Sequence, residues 1–244
     1  MAKNIAIIFA GGSGVRMGAG KPKQFLEVGG MPIIIHTLEI FENHPDIDEI
    51  YVACKEDYIE KLKKLLRRYD IEKVMDIVPG GTTGMGSIYN ALRAARAWND
   101  EDSIVLIHDG VRPCINSKLI DEVIESVKKN GAAATCTPLF ETPVVSKGGE
   151  LVETTPSRAE CYTAQAPQGF RLGEVISAHD EVRAKDAEYT GIVDNCTLMR
   201  QLGREVAIVK GPRSNIKVTT PEDLYIFKAM IEYRETRDAL GLES

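Results

Sequence analysis

Short apolar runs alternate with amphipathic segments along most of the chain, and this alternation predicts the secondary structure. The runs that indicate buried strands are 5–9, 50–54, 74–78, 104–107, 132–137 and 206–209. Helical periodicity is found at 57–69, 87–98, after Ser117 as an N-cap, at 172–183, at 194–202 and from 221 to about 237, after Thr220 as a cap. Strands alternating with helices predict a Rossmann-like α/β fold, a mainly parallel sheet with helices on both faces.

The alternation changes between Pro138 and Pro156. Residues 142–146 and 151–154 flank a Gly148-Gly149 pair, which indicates a β-hairpin. A hairpin inserted into an α/β fold projects from it, and an apolar projecting arm favours contact with a second copy of the chain. We therefore predict a single domain, 1–244, with a β-hairpin arm at about 138–156 that serves to form a homodimer.

Composition and charge narrow the class of protein. Hydrophobic residues make up 43% and charged residues 27%, the balance of a globular protein. The net charge of −6 argues against a nucleic-acid partner, although it leaves room for a locally basic pocket. No apolar run approaches ~18 residues, and the first residues lack a signal-peptide pattern, so we expect a cytoplasmic protein with no membrane partner.

Cysteines and histidines offer no metal-binding pattern. The five cysteines contain no C-x-x-C pair, and the four histidines lack the spacing of metal ligands. Any metal is therefore expected to be a hard ion held by carboxylate and phosphate oxygens.

The most informative motif is the glycine-rich turn after the first predicted strand, Ala10-Gly11-Gly12-Ser13-Gly14-Val15-Arg16-Met17. Glycines let backbone N–H groups approach a polyphosphate, and Arg16 and Lys23 add positive charge. The motif is not a P-loop, because neither Lys21 nor Lys23 is followed by Ser or Thr. It also lacks the third glycine of a dinucleotide-binding turn, since Met17 stands there. A turn that serves packing alone remains the alternative.

Further polar motifs follow other strands, where ligands of open α/β sheets bind. Asp109 is placed to hold Mg²⁺, or to make a turn contact. Arg112 is suited to a phosphate, or lies at the surface. Lys217, read as a strand residue between Ile216 and Val218, points into the cleft or faces solvent. Ser87 belongs to the site or merely starts a helix.

Five motifs in this order carry a specific resemblance. They are Ala10–Met17 with Pro22-Lys23-Gln24, Gly80-Gly81 with Ser87, His108-Asp109 with Arg112-Pro113, Ala166-Pro167-Gln168, and Asn215-Ile216-Lys217-Val218-Thr219. The chain resembles, over nearly its whole length, the CTP-dependent cytidylyltransferases that act on sugar-alcohol phosphates. Known members use 2-C-methyl-D-erythritol 4-phosphate, in isoprenoid biosynthesis, or ribitol 5-phosphate, in teichoic acid or glycan biosynthesis.

The resemblance implies a Mg²⁺-dependent attack by the polyol phosphate on the α-phosphorus of CTP, with release of pyrophosphate. It implies catalytic roles for Arg16, Lys23 and Lys217, which would stabilise charge on the α-phosphate. The implied nucleotide-binding residues are Ala10, Gly11, Gly12, Ser13, Gly14, Gly81, Thr82 and Ser87. The implied acceptor-binding residues are Asp109, Arg112, Thr142 and Arg158, with Asp109 also near Mg²⁺ and with Thr142 and Arg158 reaching the neighbouring subunit's site.

Several positions depart from the family pattern. Gly84 stands where an Arg is usual, and Pro143-Val144 follow Thr142 where the methylerythritol enzymes have Ile-Lys. Ala166 replaces a Thr, and Val193 replaces a Thr or Ser. Most of these changes fall on the acceptor side, where Val144 slightly favours the ribitol type.

Two other functions are alternatives to a polyol-phosphate cytidylyltransferase. One is a nucleotide-binding module of weak activity, which Gly84 and Ala166 motivate. The other is an NAD-dependent dehydrogenase, which fits the α/β pattern but not the glycine turn.

Overall fold

The computed structural model describes residues 2–12 and 21–240, which form nine strands and seven α-helices. The strands are β1 (Asn4–Ala10), β2 (Glu27–Val28), β3 (Met31–Pro32), β4 (Glu49–Cys54), β5 (Val74–Pro79), β6 (Ile104–Asp109), β7 (Ala132–Pro138), β8 (Tyr162–Arg171) and β9 (Ala207–Lys210). The helices are α1 (Ile33–Glu42), α2 (Ile59–Arg68), α3 (Gly84–Arg96), α4 (Ser117–Asn130), α5 (Leu172–Arg183), α6 (Asn195–Gln201) and α7 (Pro221–Ala239).

Seven strands form one sheet in the order β5-β4-β1-β6-β8-β7-β9, and β2 pairs with β3 separately. Every pairing in the large sheet is parallel except those of β8, which runs antiparallel to both β6 and β7. The prediction of a mainly parallel sheet is confirmed. Because β1 lies centrally between β4 and β6, its carboxyl end opens beside theirs.

Both faces of the sheet are covered by helices, and β1 shows why. Its alternate residues enter opposite cores: Ile5 and Ile7 pack with α3, α5 and α6, whereas Ala6 and Ile8 pack with α1, α2 and α4. A strand buried on both faces needs apolar residues at consecutive positions, which is the run that the sequence carries. The predicted helices on both faces are therefore confirmed.

A smaller apolar cluster holds the last part of the chain against the strand ends. Phe227 of α7 packs with Val28, Ile33, Val111 and Val218, all of them buried. The backbone N–H of Val218 donates to the carbonyl of Val111 at 2.8 Å. These contacts fix the segment that carries Lys217 beside the loop that follows β6.

Some elements differ from the predictions. Neither α1 nor β8 was predicted, α3 begins at Gly84 rather than near Ser87, and α4 is capped by Asn116, whose side chain accepts from the N–H of Leu119. Asn116 precedes the predicted cap by one residue and carries the better-placed oxygen. Lys217 lies in an irregular segment rather than in a strand.

The arm is less regular than the predicted hairpin. Within 138–156 a single antiparallel bridge joins Val145 to Thr154. Ser146 accepts from the N–H of Gly149, which has a φ of +75° and so supplies the turn. Its side chains Phe140, Val144, Val145, Leu151 and Val152 are exposed.

No helix in the described part of the chain combines the length and apolarity needed to cross a bilayer. The extent of the domain, 1–244, and the role of residues 138–156 in dimerisation remain predictions.

Candidate active site

The carboxyl ends of β1, β4, β5 and β6 surround a cavity of about 500 Å³, called here the glycine-lined cavity. Its described lining residues are Phe9, Ala10, Gly11, Gly12, Lys23, Gln24, Lys55, Gly81, Thr82, Thr83, Gly84, Ser87, Asp109, Val111 and Lys217. The loops that the sequence places after separate strands thus come together at one edge of the sheet, as expected for an open α/β fold.

Gln24 holds the backbone at the start of the glycine-rich turn by hydrogen bonds. It is almost fully buried, and its side-chain amide donates to the carbonyls of Ala10 and Gly12. Of the described residues in this turn, Ala10, Gly11 and Gly12 line the cavity. A Cβ on Gly11 would lie 2.8 Å from the Ser87 hydroxyl, so only glycine fits beside that side chain. The sequence motif does not predict this role, because the partners of Gln24 lie 14 and 12 positions away along the chain.

Ser87 shapes the second glycine loop. Its hydroxyl accepts from the N–H of Gly81 at 3.0 Å and donates to the carbonyl of Thr83 at 2.9 Å. A Cβ on Gly81 would meet backbone atoms of Gly86 at 2.7 Å, so the loop and helix α3 touch there without room for a side chain. Ser87 is not a helix start, since Thr83 caps α3 by accepting from the N–H of Gly86.

A charge cluster lies where β6 ends, with Asp109 and Arg112 buried and the Lys217 side chain 40% exposed. Asp109 Oδ1 contacts Lys217 Nζ at 2.5 Å, and Asp109 Oδ2 accepts from Arg112 Nε at 3.2 Å. Burial raises the pKa of Asp109, but the charges of Lys217 and Arg112 outweigh it, so the pKa lies below its usual value. The carboxylate is ionised, and the cluster carries a net positive charge.

His108 supports this cluster from the core. Its ring is fully buried, and Nε2 lies 2.9 Å from the carbonyl of Arg112, to which it can only donate. Burial lowers the pKa of His108 to about 4, so the ring is neutral at physiological pH. Its hydrogen bond closes the turn that presents Asp109 and Arg112.

A second cavity of about 230 Å³ adjoins the first and is called here the amide-lined cavity. Its described lining residues are Phe9, Gly84, Ile88, Ile107, Asp109, Arg112, Ala164, Gln165, Ala166, Gln168, Val193, Asp194, Asn195 and Lys217. Phe9, Gly84, Asp109 and Lys217 line both cavities. A ligand in one cavity can therefore meet a ligand in the other at the charge cluster.

Asn215 connects the loops around the amide-lined cavity. Its backbone carbonyl accepts from Arg112 Nη1 at 2.6 Å and from Gln165 Nε2 at 3.3 Å. Its side-chain amide donates to the carbonyl of Ala166 at 2.7 Å. These bonds fix Arg112 and hold the segment that carries Lys217, a role that sequence spacing alone does not reveal.

The charge of the site contrasts with that of the whole chain. The described lining of the glycine-lined cavity contains three lysines, Lys23, Lys55 and Lys217, and one carboxylate, Asp109. The chain itself has a net charge of −6. A positive cavity lined by glycines is suited to a polyphosphate, and cations near a reacting phosphorus stabilise charge that builds there.

The structure brings together most of the predicted site residues. Ala10, Gly11, Gly12, Lys23, Gly81, Thr82, Ser87, Asp109 and Lys217 line the glycine-lined cavity, and Arg112 lines the amide-lined one. Arg16, Ser13 and Gly14 lie outside the described residues. Lys55 joins the site without having been predicted.

Thr142 and Arg158 line neither of these cavities in the described part of the chain. Both side chains are exposed, and Arg158 Nη1 donates to the carbonyl of Phe140 at 3.1 Å. Within one chain, Thr142 belongs to the arm and Arg158 lies just beyond it, outside both cavities.

Comparison with known proteins agrees with this geometry. The family model described as IspD, 2-C-methyl-D-erythritol 4-phosphate cytidylyltransferase, matches residues 4–233. A ribitol-5-phosphate cytidylyltransferase of Vibrio parahaemolyticus is 45% identical over 239 residues, covering 98% of this chain and 100% of the relative. A 2-C-methyl-D-erythritol 4-phosphate cytidylyltransferase of Geobacter metallireducens is 39% identical over 228 residues, covering 93% and 97%.

A solved structure shows the same fold. The crystal structure of a 4-diphosphocytidyl-2C-methyl-D-erythritol synthase from Anaerococcus prevotii superposes with a TM-score of 0.81 at 32% identity, covering 95% of this chain and 96% of that one. The match extends over both cavities, since it takes in nearly all of the chain. The predicted family is confirmed: the chain belongs to the IspD family of cytidylyltransferases and is, by that membership, a nucleotidyltransferase.

Proposed function

We propose that the protein transfers CMP from CTP to ribitol 5-phosphate and releases pyrophosphate. The observation that carries this proposal is the Asp109–Lys217–Arg112 cluster at the junction of the two cavities. The glycine-lined cavity holds CTP, and the amide-lined cavity holds the polyol phosphate. Their junction is then the place where the acceptor phosphate meets the α-phosphorus.

The reaction needs positioning and charge stabilisation more than proton transfer. An oxygen of the acceptor phosphate forms a bond to the α-phosphorus, and the bond from that phosphorus to the β-bridging oxygen breaks, so pyrophosphate leaves with the electron pair. The nucleophile is already an anion, so no general base is required. Lys23 and Lys217, with Arg16, stabilise the negative charge that builds on the α-phosphate.

On the donor side, the backbone of Gly11 and Gly12 wraps the triphosphate and the loop at Gly81 and Thr82 reads the cytosine edge. The Ser87 hydroxyl uses its one hydrogen toward Thr83 and one lone pair toward Gly81. Its second lone pair is left to accept from the exocyclic amino group of cytosine. A base without that amino group would leave this second lone pair without a donor.

Asp109 fits a Mg²⁺ ion that is held mainly by the nucleotide. Mg²⁺ often takes one or two protein carboxylates and completes its shell with phosphates and water. Asp109 is ionised and lines both cavities, and each of its oxygens retains a lone pair beside Lys217 or Arg112. When bound, the ion would neutralise charge on the phosphates.

Two observations favour ribitol 5-phosphate as the acceptor. Relatives named for that substrate are 43–45% identical, whereas those named for 2-C-methyl-D-erythritol 4-phosphate are 37–39% identical. In addition, Val144 stands where the methylerythritol enzymes have Lys, which slightly favours the ribitol type. An unbranched pentitol chain also requires no pocket for a branching methyl group.

We also propose a cytoplasmic homodimer formed through the arm at 138–156. The arm exposes Phe140, Val144, Leu151 and Val152, which are apolar side chains that a monomer would leave in water. Thr142 and Arg158 lie on or beside this arm, away from their own chain's cavities. In the dimer they reach the acceptor phosphate of the neighbouring subunit.

A substrate panel tests the reaction and its acceptor. With CTP and Mg²⁺, pyrophosphate release should depend on added polyol phosphate, and kcat/KM should be at least ~10-fold higher for ribitol 5-phosphate than for 2-C-methyl-D-erythritol 4-phosphate, the scale of one pocket contact. Preference for the branched substrate would overturn the acceptor assignment. No release with any polyol phosphate would overturn the reaction.

Subunit mixing tests the shared site. Arg158→Ala and Lys217→Ala proteins should each be nearly inactive, yet an equal mixture that exchanges subunits should recover about a quarter of wild-type activity, because half of the dimers then have one intact site. A fully active monomer in sedimentation, or no recovery on mixing, would contradict the shared site.

A further inference from the structure

One wall of the amide-lined cavity is formed by residues 186–195, called here the wall segment, of which Val193, Asp194 and Asn195 line the cavity. Asp186 begins it with a tight turn, its carboxylate accepting from the N–H groups of Glu188 and Thr190. The segment has little regular structure until α6 begins, so its shape depends on such specific contacts.

Tyr189 is the strained point of the wall segment. Its φ is +59°, a left-handed conformation that non-glycine residues seldom adopt and that costs about 1–3 kcal/mol. Its side chain is nevertheless 3% exposed, so the strained backbone is held by a buried anchor. The neighbouring Gly191, with a φ of +75°, continues the bend toward Val193.

The anchor is His179 of α5, which is fully buried. Its Nδ1 lies 2.6 Å from the Tyr189 hydroxyl, and its Nε2 lies 2.8 Å from Asn195 Oδ1. Because the Asn195 oxygen can only accept, Nε2 carries the hydrogen and Nδ1 accepts from Tyr189. Burial lowers the pKa of His179 to about 4, which agrees with this neutral ring. His179 therefore holds the wall segment by two hydrogen bonds, one before Val193 and one after it.

The wall segment also contacts the donor side of the site. Thr82 donates its hydroxyl to Glu188 at 3.0 Å, and Thr82 lines the glycine-lined cavity. At the other end, Asp194 accepts from Gln168 at 2.8 Å, and both line the amide-lined cavity. The segment thus contacts both subsites, and its apolar Val193, which is 83% exposed, lines the amide-lined cavity.

We propose that His179 is a positioning residue for acceptor selection, holding the wall segment in register through Tyr189 and Asn195. The inference rests on the proposed function, because the amide-lined cavity is taken as the polyol-phosphate site. His179 does not itself line either cavity among the described residues. Its effect on the acceptor passes through the placement of Val193 and Asp194.

The test measures KM for ribitol 5-phosphate and for CTP in parallel. His179→Leu leaves both partners unpaired and should raise the acceptor KM about tenfold. The CTP KM should rise less, about twofold, because only the Thr82–Glu188 hydrogen bond carries the change to the donor side. His179→Gln keeps an N–H donor for Asn195 and should recover part of that loss. Tyr189→Phe removes one hydroxyl and should raise the acceptor KM about fivefold.

Tyr51→Phe is the matched control, because Tyr51 is also buried and donates its hydroxyl to Glu49, yet it lines neither cavity among the described residues. It should leave both KM values unchanged. Equal rises in the two KM values of Tyr189→Phe, or an unchanged acceptor KM in His179→Leu, would overturn the inference. Absence of polyol-dependent turnover in the wild-type protein would instead overturn the proposed function, and this inference with it.

Discussion

The two cavities share Asp109 and Lys217 but are built in different ways. The glycine-lined cavity is shaped by backbone, and its buried side chains Gln24 and Ser87 act by holding loop backbone in place. The amide-lined cavity is shaped by side chains that face it. If the cavities bind CTP and the polyol phosphate as proposed, donor recognition depends mainly on backbone geometry and acceptor recognition on the identity of a few side chains.

This difference explains where the chain departs from its family's pattern. Ala166 and Val193 both line the amide-lined cavity, and Gly84 lines both cavities. A change of side chain there alters the pocket without disturbing the backbone of the donor loops. One scaffold can thus keep its nucleotide while its acceptor changes.

The largest effect is expected from a substitution of Lys217, which lines both cavities. Lys217→Ala should lower kcat by at least ~10²-fold, because a charge partner of the transition state is lost. Steady-state pyrophosphate release measures it. Lys228→Ala is the control, since that exposed lysine pairs with Glu232 on α7 and should keep near wild-type turnover. Turnover of Lys217→Ala within tenfold of wild type would contradict the assigned role.

A glycine pair tests whether the donor side is built from backbone. Gly81→Ala places a Cβ 2.7 Å from Gly86 and should raise the KM for CTP about 10- to 100-fold, since overpacking of this kind costs about 1–3 kcal/mol. Gly84→Ala meets no atom within 4 Å and should raise that KM less than about threefold. Similar effects of the two substitutions would show that space at Gly81 does not decide nucleotide binding.

The two buried histidines give the site a pH-dependent stability. Burial lowers the pKa of His108 and His179 to about 4, whereas in the unfolded chain each has the ordinary histidine pKa of about 6.5. Below pH 6.5 the unfolded state binds more protons, so stability is full above that pH and falls as the pH drops toward 4. Between these two pKa values, each histidine lowers the free energy of unfolding by up to about 1.4 kcal/mol for each pH unit of acidification.

Urea unfolding at pH 7.5, 6 and 5 measures this loss. His179→Gln should remove the contribution of His179 and leave that of His108, so the variant shows how much each histidine contributes to the pH dependence. A wild-type free energy of unfolding that stays constant from pH 7.5 to 5 would show that the rings are not held neutral.

The smallest expected effect concerns the acceptor pocket itself. Val193→Thr keeps the side-chain shape and adds a hydroxyl to the amide-lined cavity. The ratio of kcat/KM for the two polyol phosphates should change about 3- to 10-fold, the scale of one hydrogen bond, while the KM for CTP stays constant. A change in the CTP KM without a change in acceptor preference would contradict the separate roles proposed for the two cavities.

Much of the scaffold could be predicted because its signals are local. The apolar run of β1 and the turns after β5 and β6 are contiguous in sequence, and strand ends on one sheet edge converge by geometry. Helix α1 was missed because Ile33, Ile34 and Ile35 are all buried, which removes the polar alternation of an amphipathic helix. Strand β8 was missed because Pro167 interrupts it.

Residues that act through distant partners could not be predicted. Asn215 meets Arg112 across 103 positions, and His179 meets Asn195 across 16. Such pairs follow from tertiary packing rather than from spacing along the chain. Lys217 lines both cavities, but the strand predicted for it is wrong, since its segment is fixed by Val218 against Val111 rather than by a strand ladder.

The most direct test of the central claim follows the α-phosphorus. CTP labelled with radioactive phosphorus at the α-position is incubated with Mg²⁺, ribitol 5-phosphate and the wild-type protein, and the products are separated. The label should appear in CDP-ribitol, with one unlabelled pyrophosphate for each molecule formed and none without acceptor. Label released as CMP, or product formation that ignores the acceptor, would contradict cytidylyl transfer between the two cavities.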